Sequence, residues 1–234
     1  MAEANDLIYG VHPVMEALRN PRRKPVALTA TRNAADRLAQ DLGALPLEPR
    51  LVHPRDLDRQ LGADTVHQGL LLEAKPLPQP RLDEIERKGL VVLLDQVTDP
   101  HNVGAILRSC AAFAATALVT TARHSPEASG VLFKAASGAY EHVPFVRVTN
   151  LARAMEEMKE YGFRILGLDG EAETTLAEAD RTPPIAIVLG AEGKGLRQLT
   201  RQTCDRLVRL DLPGPIKSLN VSIAAAIALQ ALSR

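Results

Sequence analysis

The sequence predicts an α/β protein: a small α/β domain, a proline-spaced connector, and a larger C-terminal domain built on a parallel sheet. Three observations carry this. Apolar runs alternate with amphipathic segments from Gly89 onward, the pattern of strand-helix repeats that fold into a parallel sheet with helices on both faces. The runs are continuous, as in "GLVVLLD" and "PIAIVLG", which suits strands buried on both sides. Pro76, Pro78 and Pro80 stand at alternate positions in "KPLPQPRLDE", and prolines so spaced favour an extended, semi-rigid connector. We therefore divide the chain into residues 1–75, a linker at 76–84, and residues 85–234, and expect the two domains to be separable at the linker.

Before the linker, "LIYG", "PVALTAT" and "HQGLLLEA" read as strands, and "HPVMEALRN" and "NAADRLAQDLGA" as helices. After it come the strand "GLVVLLD" and a helical segment from Val103, the strand "TALVTT" and the helix "EASGVLFKAASGA". Then follow the strand "VPFVRVT" and the amphipathic helix "NLARAMEEMKEYG", which ends at Gly162. "FRILGLD" and "PIAIVLG" are further strands. A short helix after Gly195, the strand "RLVRLDL" and a last helix from about Ser218 complete the alternation.

The 28 basic side chains are balanced by 28 acidic ones, and aromatics make up only 3% of the chain. Zero net charge argues against a wholly basic nucleic-acid module, although a local patch could still neutralise phosphates; Arg19, Arg22, Arg23 and Lys24 form one candidate cluster. The shortage of flat rings argues against an aromatic platform for single strands. Cys110 and Cys204 belong to no CxxC pair, and the six histidines show no metal-ligand spacing, so no metal is expected. No signal peptide opens the sequence, and the longest apolar stretch, from Val221, is too short to span a bilayer. A cytoplasmic protein without a membrane partner is expected.

Polar residues cluster where three strands end, the place where ligands bind in open parallel sheets. "LLDQVTDPHNVGAILRSCAAF" (93–113) carries Asp99, His101, Asn102 and Arg108. "IVLGAEGKGL" sets three glycines around Glu192 and Lys194, and "LDLPGPIKSLNVS" ends in Ser218 and Asn220. Neither common phosphate cradle fits the glycines. A P-loop would need glycine where Val188 stands, and the dinucleotide fingerprint would need it at Gln198. A nicotinamide dehydrogenase is correspondingly disfavoured.

"DPHNVGAILRS", "VLGAEGKGL" and "SLNVSIAAAIAL", in that order and at those separations, resemble the three signature motifs of the SpoU (TrmH) family of RNA ribose 2′-O-methyltransferases, within the knotted SPOUT superfamily. "IYGVHPVMEAL" and "VHQGLLLEAK" resemble that family's ribosomal-protein-L30-like RNA-binding domain, so the likeness covers nearly the whole chain. Within the family it is most similar to bacterial enzymes that methylate a guanosine ribose of 23S rRNA.

The resemblance implies a deep C-terminal trefoil knot, S-adenosylmethionine as cofactor, RNA as partner and a homodimer. By matching position, Gly190, Leu210 and Leu219 would line the methyl-donor pocket, and Asn102, Arg108, Glu192, Ser218 and Asn220 would be the catalytic set. One departure stands out: Leu210-Asp211-Leu212 replaces the family's usual Ile-Pro-Met, which puts a charge near the donor pocket. Each polar residue also has a plainer role open to it. Asn102 or Ser218 could cap a helix, Glu192 could pair with Lys194, and Arg108 could simply face solvent. A tRNA 2′-O-methyltransferase of the same family and a non-catalytic RNA-binding protein are the alternatives.

Overall fold

A computed structural model describes residues 4–123 and 125–233. In chain order the elements are β1 (Asp6–Tyr9), α1 (Val11–Arg19), β2 (Pro25–Ala30), α2 (Arg32–Leu42), β3 (Arg50–Leu51), α3 (Pro54–Leu61) and β4 (Leu70–Ala74). Next come β5 (Leu90–Asp95), α4 (Pro100–Ala112), β6 (Ala117–Thr121), α5 (Gly130–Ala136), β7 (Phe145–Val148), α6 (Leu151–Glu160) and β8 (Arg164–Leu168). The last are β9 (Ile185–Gly190), α7 (Gln198–Thr203), β10 (Arg206–Val208) and α8 (Val221–Leu232). The chain forms two compact units. One holds the residues up to Pro78 together with Glu127–His142; the other holds Gln79–Pro126 and everything from Val143 onward.

The first unit contains a four-stranded sheet in the order β1-β4-β2-β3, antiparallel except for β2 beside β3. The short β3 and the helix α3 lie in the stretch before "HQGLLLEA", where the sequence shows no clear periodicity. Arg23 and Glu141 form a buried ion pair in this unit. The Arg23 guanidinium donates to Asp6 Oδ2 at 2.6 Å, to Glu141 Oε1 at 2.5 Å and to the Lys75 carbonyl at 3.1 Å. The Phe133 and Tyr140 rings lie 5.7 and 5.9 Å from its Cζ. Glu141, Phe133 and Tyr140 come from the 127–142 segment, which the sequence pattern places within the C-terminal alternation. Burial removes Arg23 from the expected basic cluster, while Arg19, paired with Glu16, stays exposed with Arg22 and Lys24.

The second unit is built on a six-stranded parallel sheet in the order β10-β8-β9-β5-β6-β7. Its middle strand β5 is buried along its whole length, as a strand covered on both faces requires. α4 and α8 pack against each other, while α6 and α7 pack together beside β8. β5 runs to β6 on one side and lies beside β9 on the other, so the strand order reverses between β5 and β9. Their register runs from Leu90 opposite Ile185 to Asp95 opposite Gly190. Both strands therefore end at the same level, and the loops that follow them, 96–99 and 191–197, leave side by side. Among the described residues no helix is long and apolar enough to cross a membrane.

Candidate active site

Three helix and loop starts converge at that switch point. α4 begins at Pro100, three residues earlier than the sequence pattern indicates, because Asp99 is its N-cap and accepts from the His101 N–H at 2.9 Å. Proline at the first helical position needs no N–H partner, which suits Asp99-Pro100 as a start. Asn102 is therefore not the cap, and its side chain is free to reach Glu192. α8 begins at Val221 with Asn220 as N-cap, its Oδ1 accepting from the Ser222 N–H at 2.9 Å. Ser218, the cap expected from the sequence, lies two residues upstream in an exposed loop.

Glu192 joins these pieces. Its Oε1 accepts from Asn220 Nδ2 at 2.5 Å, from Asn102 Nδ2 at 3.3 Å and from the Val221 N–H at 3.3 Å. Asn220 Nδ2 also lies 3.0 Å from Asn102 Oδ1. Residues 102, 192 and 220, far apart in sequence, thus form one hydrogen-bonded group. Among the described residues Glu192 has no ion pair with Lys194, so the plain surface-pair alternative does not describe it.

The loop carrying Glu192 is shaped by glycine. Gly193 and Gly195 have φ of +73° and +64°, and the loop folds back so closely that a Cβ on Gly190 would meet the Gly195 carbonyl carbon at 2.2 Å. Two side-chain anchors that the sequence does not reveal hold the far end: buried Asp95 accepts from the Arg197 N–H at 2.9 Å and from its Nε at 2.7 Å.

Two cavities meet at Glu192. One, of about 440 Å³, is lined by Leu168, Gly190, Leu210, Ser218, Leu219 and Ala224, with Asp169 and Glu171 among its polar groups. It contains all three expected donor-pocket residues, and its volume lies in the ~300–1,000 Å³ range of small-molecule sites. Its apolar walls suit an aromatic base, and its charged rim combines Glu171 and Glu192 with Lys217, while Asp169 is paired with Arg201. Asp211 is exposed and does not line this cavity, so the departure from the family pattern leaves the wall apolar. The other cavity, of about 400 Å³, is lined by Gln96, Thr98, Asp99, Asn102 and Lys194. Ala191, Glu192 and Val221 line both.

Arg108 is not part of the group. It stands six residues beyond Asn102 on α4, about 120° round the helix axis, is exposed, and lines neither cavity. The cysteines offer no nucleophile: burial pushes the Cys204 thiol up to about 12 and that of Cys110 higher still. Among the described residues no cluster of His, Cys, Asp or Glu is placed to hold a metal ion.

A six-stranded parallel sheet whose strand-end loops carry this group defines a class, and the comparisons place the chain in it. The chain belongs to the SpoU rRNA Methylase family, which matches residues 89–230; the family described as RNA 2'-O ribose methyltransferase substrate binding matches residues 7–80. Two particular relatives are named 23S rRNA (guanosine-2'-O-)-methyltransferase RlmB. That of Pseudomonas syringae pv. tomato is 42% identical, covering 95% of this chain and 92% of its own. That of Vibrio vulnificus is 40% identical, covering 97% and 95%. Among solved structures, the SpoU methyltransferase AviRb from Streptomyces viridochromogenes in complex with AdoMet superposes with a TM-score of 0.82 at 25% identity, covering 98% of this chain and 89% of that one.

Proposed function

We infer that the protein is an S-adenosylmethionine-dependent methyltransferase that modifies the ribose 2′-hydroxyl of a guanosine in 23S rRNA. One observation carries the methyl-transfer chemistry: Glu192, held by Asn102 and Asn220, stands at the wall shared by two cavities, one suited to the donor and one open beside it for the acceptor. The 23S rRNA guanosine is supported by the relatives named for that activity. Bound in the first cavity, S-adenosylmethionine supplies a methyl group on a sulfonium, electrophilic enough for in-line transfer to oxygen. The protein's share is to position the acceptor hydroxyl and help its proton leave. Glu192 Oε1 is taken up by its three N–H donors, which leaves Oε2 as the oxygen we assign to an incoming hydroxyl. Gly190, Leu210 and Leu219 hold the donor, with Ser218 on the same wall.

Several finer features belong to the same reading. The first unit binds the RNA, supported by its match to the substrate-binding family. The trefoil knot is supported by the match of residues 89–230 to the SpoU rRNA Methylase family. A cytoplasmic setting is supported by two free cysteines.

The reading also includes a homodimer in which Arg108 serves the partner's site. Two features support it. Arg108 turns away from Asn102 on its own helix, and α8 exposes Ile223 and Ile227 one helical turn apart, 52% and 42% accessible. Light scattering should return about twice 25.3 kDa at micromolar concentration. A stable species at 25.3 kDa would contradict the dimer.

A guanidinium keeps its proton, so Arg108 acts by stabilising the developing alkoxide or the neighbouring phosphate. Arg108→Ala should keep its donor affinity and melting temperature yet lose at least about a hundredfold in single-turnover methylation. Arg108→Lys should rescue poorly, because an ammonium cannot reproduce a forked planar contact. Near-wild-type turnover in the alanine variant would contradict the role. Mixing inactive Arg108→Ala and Glu192→Ala subunits should restore about a quarter of the wild-type rate, since half the dimers then carry one intact composite site. No recovery on mixing would place Arg108 in its own chain's site.

A further inference from the structure

We propose that a third crevice, beyond the carboxyl ends of β5, β6 and β7, is a nucleotide subsite that grips a phosphodiester of the RNA beside the ribose being methylated. The proposal rests on the RNA-methylating function inferred above and extends it to how the strand is held.

The crevice has a volume of about 270 Å³, and Gln96, Thr121, Arg123, Asn150, Arg197 and Leu199 are among its lining residues. Its charge sets it apart from its two neighbours. The donor cavity is lined by Asp169, Glu171 and Glu192 with one cation, Lys217, and the acceptor cavity by Asp99 and Glu192 with Lys194, whereas two arginines and no carboxylate line the third. Asp95 lies buried behind Arg197 and offsets part of that charge. The Asp95 bond engages Arg197 Nε and leaves the outer Nη groups for a ligand, so the pair fixes the guanidinium while presenting its fork. A fixed planar fork matches the oxygens of a phosphate.

The crevice is also continuous with the chemistry. Gln96, held at φ +59° directly after β5, lines both this crevice and the acceptor cavity that contains Asn102 and Glu192. A single strand whose target ribose sits in the acceptor cavity can therefore lay an adjacent phosphate against Arg123 and Arg197. Leu199, 59% exposed, lines the same crevice and gives the neighbouring base an apolar surface in a chain poor in aromatic rings. The exposed Thr149 hydroxyl and Asn150 amide complete a lining that can donate to sugar and phosphate oxygens.

The test uses the full-length protein and a 23S rRNA fragment that the wild type methylates. RNA affinity is measured against salt concentration, and donor affinity by calorimetry. Arg123→Gln should weaken RNA binding about tenfold at low salt and reduce the slope of log affinity against log salt by about 0.7, the signature of one lost phosphate contact on a single strand. KM for RNA should rise by more than kcat falls, and donor affinity should stay unchanged. Leu199→Lys exchanges the apolar contact for a cation in the same crevice and should steepen the slope by about 0.7. Salt slopes and affinities that match wild type in both variants would overturn the proposal. So would saturable binding of guanosine monophosphate that Arg123→Gln abolishes while RNA affinity stays intact, since that marks a free-nucleotide site. A wild-type protein that methylates no RNA fragment would instead remove the functional reading beneath it.

Discussion

Glu192→Gln should leave the protein folded and able to bind its donor, yet reduce methyl-transfer turnover by about 10²–10³, the scale of losing one aligned polar group at a reacting centre. The substitution separates two roles that the geometry combines. As a structural joint, Glu192 needs only one oxygen to accept from Asn102, Asn220 and the Val221 N–H, and a glutamine carbonyl supplies it. As a partner for the ribose hydroxyl it needs its second oxygen as an acceptor, and the amide NH₂ cannot serve. Unchanged thermal stability and donor affinity with lost turnover is the expected pattern. Full turnover in a folded Glu192→Gln protein would reduce the residue to a loop anchor. Glu192→Ala should lose turnover too, and some stability with it, because the start of α8 loses a hydrogen-bond acceptor.

Arg23→Ala should cost about 3–5 kcal/mol of unfolding free energy, because removing one partner strands charges in a buried cluster. Asp6 and Glu141 both lose the guanidinium, and their side chains are only 11% and 3% exposed. Urea denaturation measures the cost directly; a change below about 1 kcal/mol would mean that the pair is solvated as exposed pairs are. The same cluster bears on cutting the chain at the linker. Residues 127–142 lie between β6 and β7 in sequence, yet pack with the N-terminal unit. Deleting residues 1–75 would therefore leave Leu132, Phe133 and Tyr140 without the neighbours that bury them, and Glu141 without Arg23. The truncated chain should aggregate, and a soluble, donor-binding truncation would show that this packing is dispensable.

What could be read from the sequence follows from which signals are local. The continuous apolar runs that form β5 and β9 identify buried parallel strands, because burial on both faces leaves no polar side. The strand-end rule then locates the site, since Asn102, Glu192 and Asn220 all follow strands and their motifs keep a recognisable order. Helix starts were harder to read. Aspartate, asparagine and serine all cap well, so the pattern alone could not choose Asp99 over Asn102, or Asn220 over Ser218. Pairings across long stretches of chain left no local trace. Asp95 with Arg197, and Arg23 with Glu141, are brought together by topology, and nothing in the neighbouring residues announces either pair. The direction of Arg108 was within reach, since six residues along a helix leave it about 120° from Asn102. The motif places both in one catalytic set, and the helix geometry turns them apart.

Methylation of a guanosine ribose in 23S rRNA is tested by mapping ribose 2′-O-methylation across the whole of 23S rRNA with and without the gene. One guanosine should carry the methyl group only when the gene is present, restored by the wild-type protein and not by Glu192→Gln. Identical 23S rRNA maps in the two strains, with a lost methyl group found in tRNA or nowhere, would contradict it.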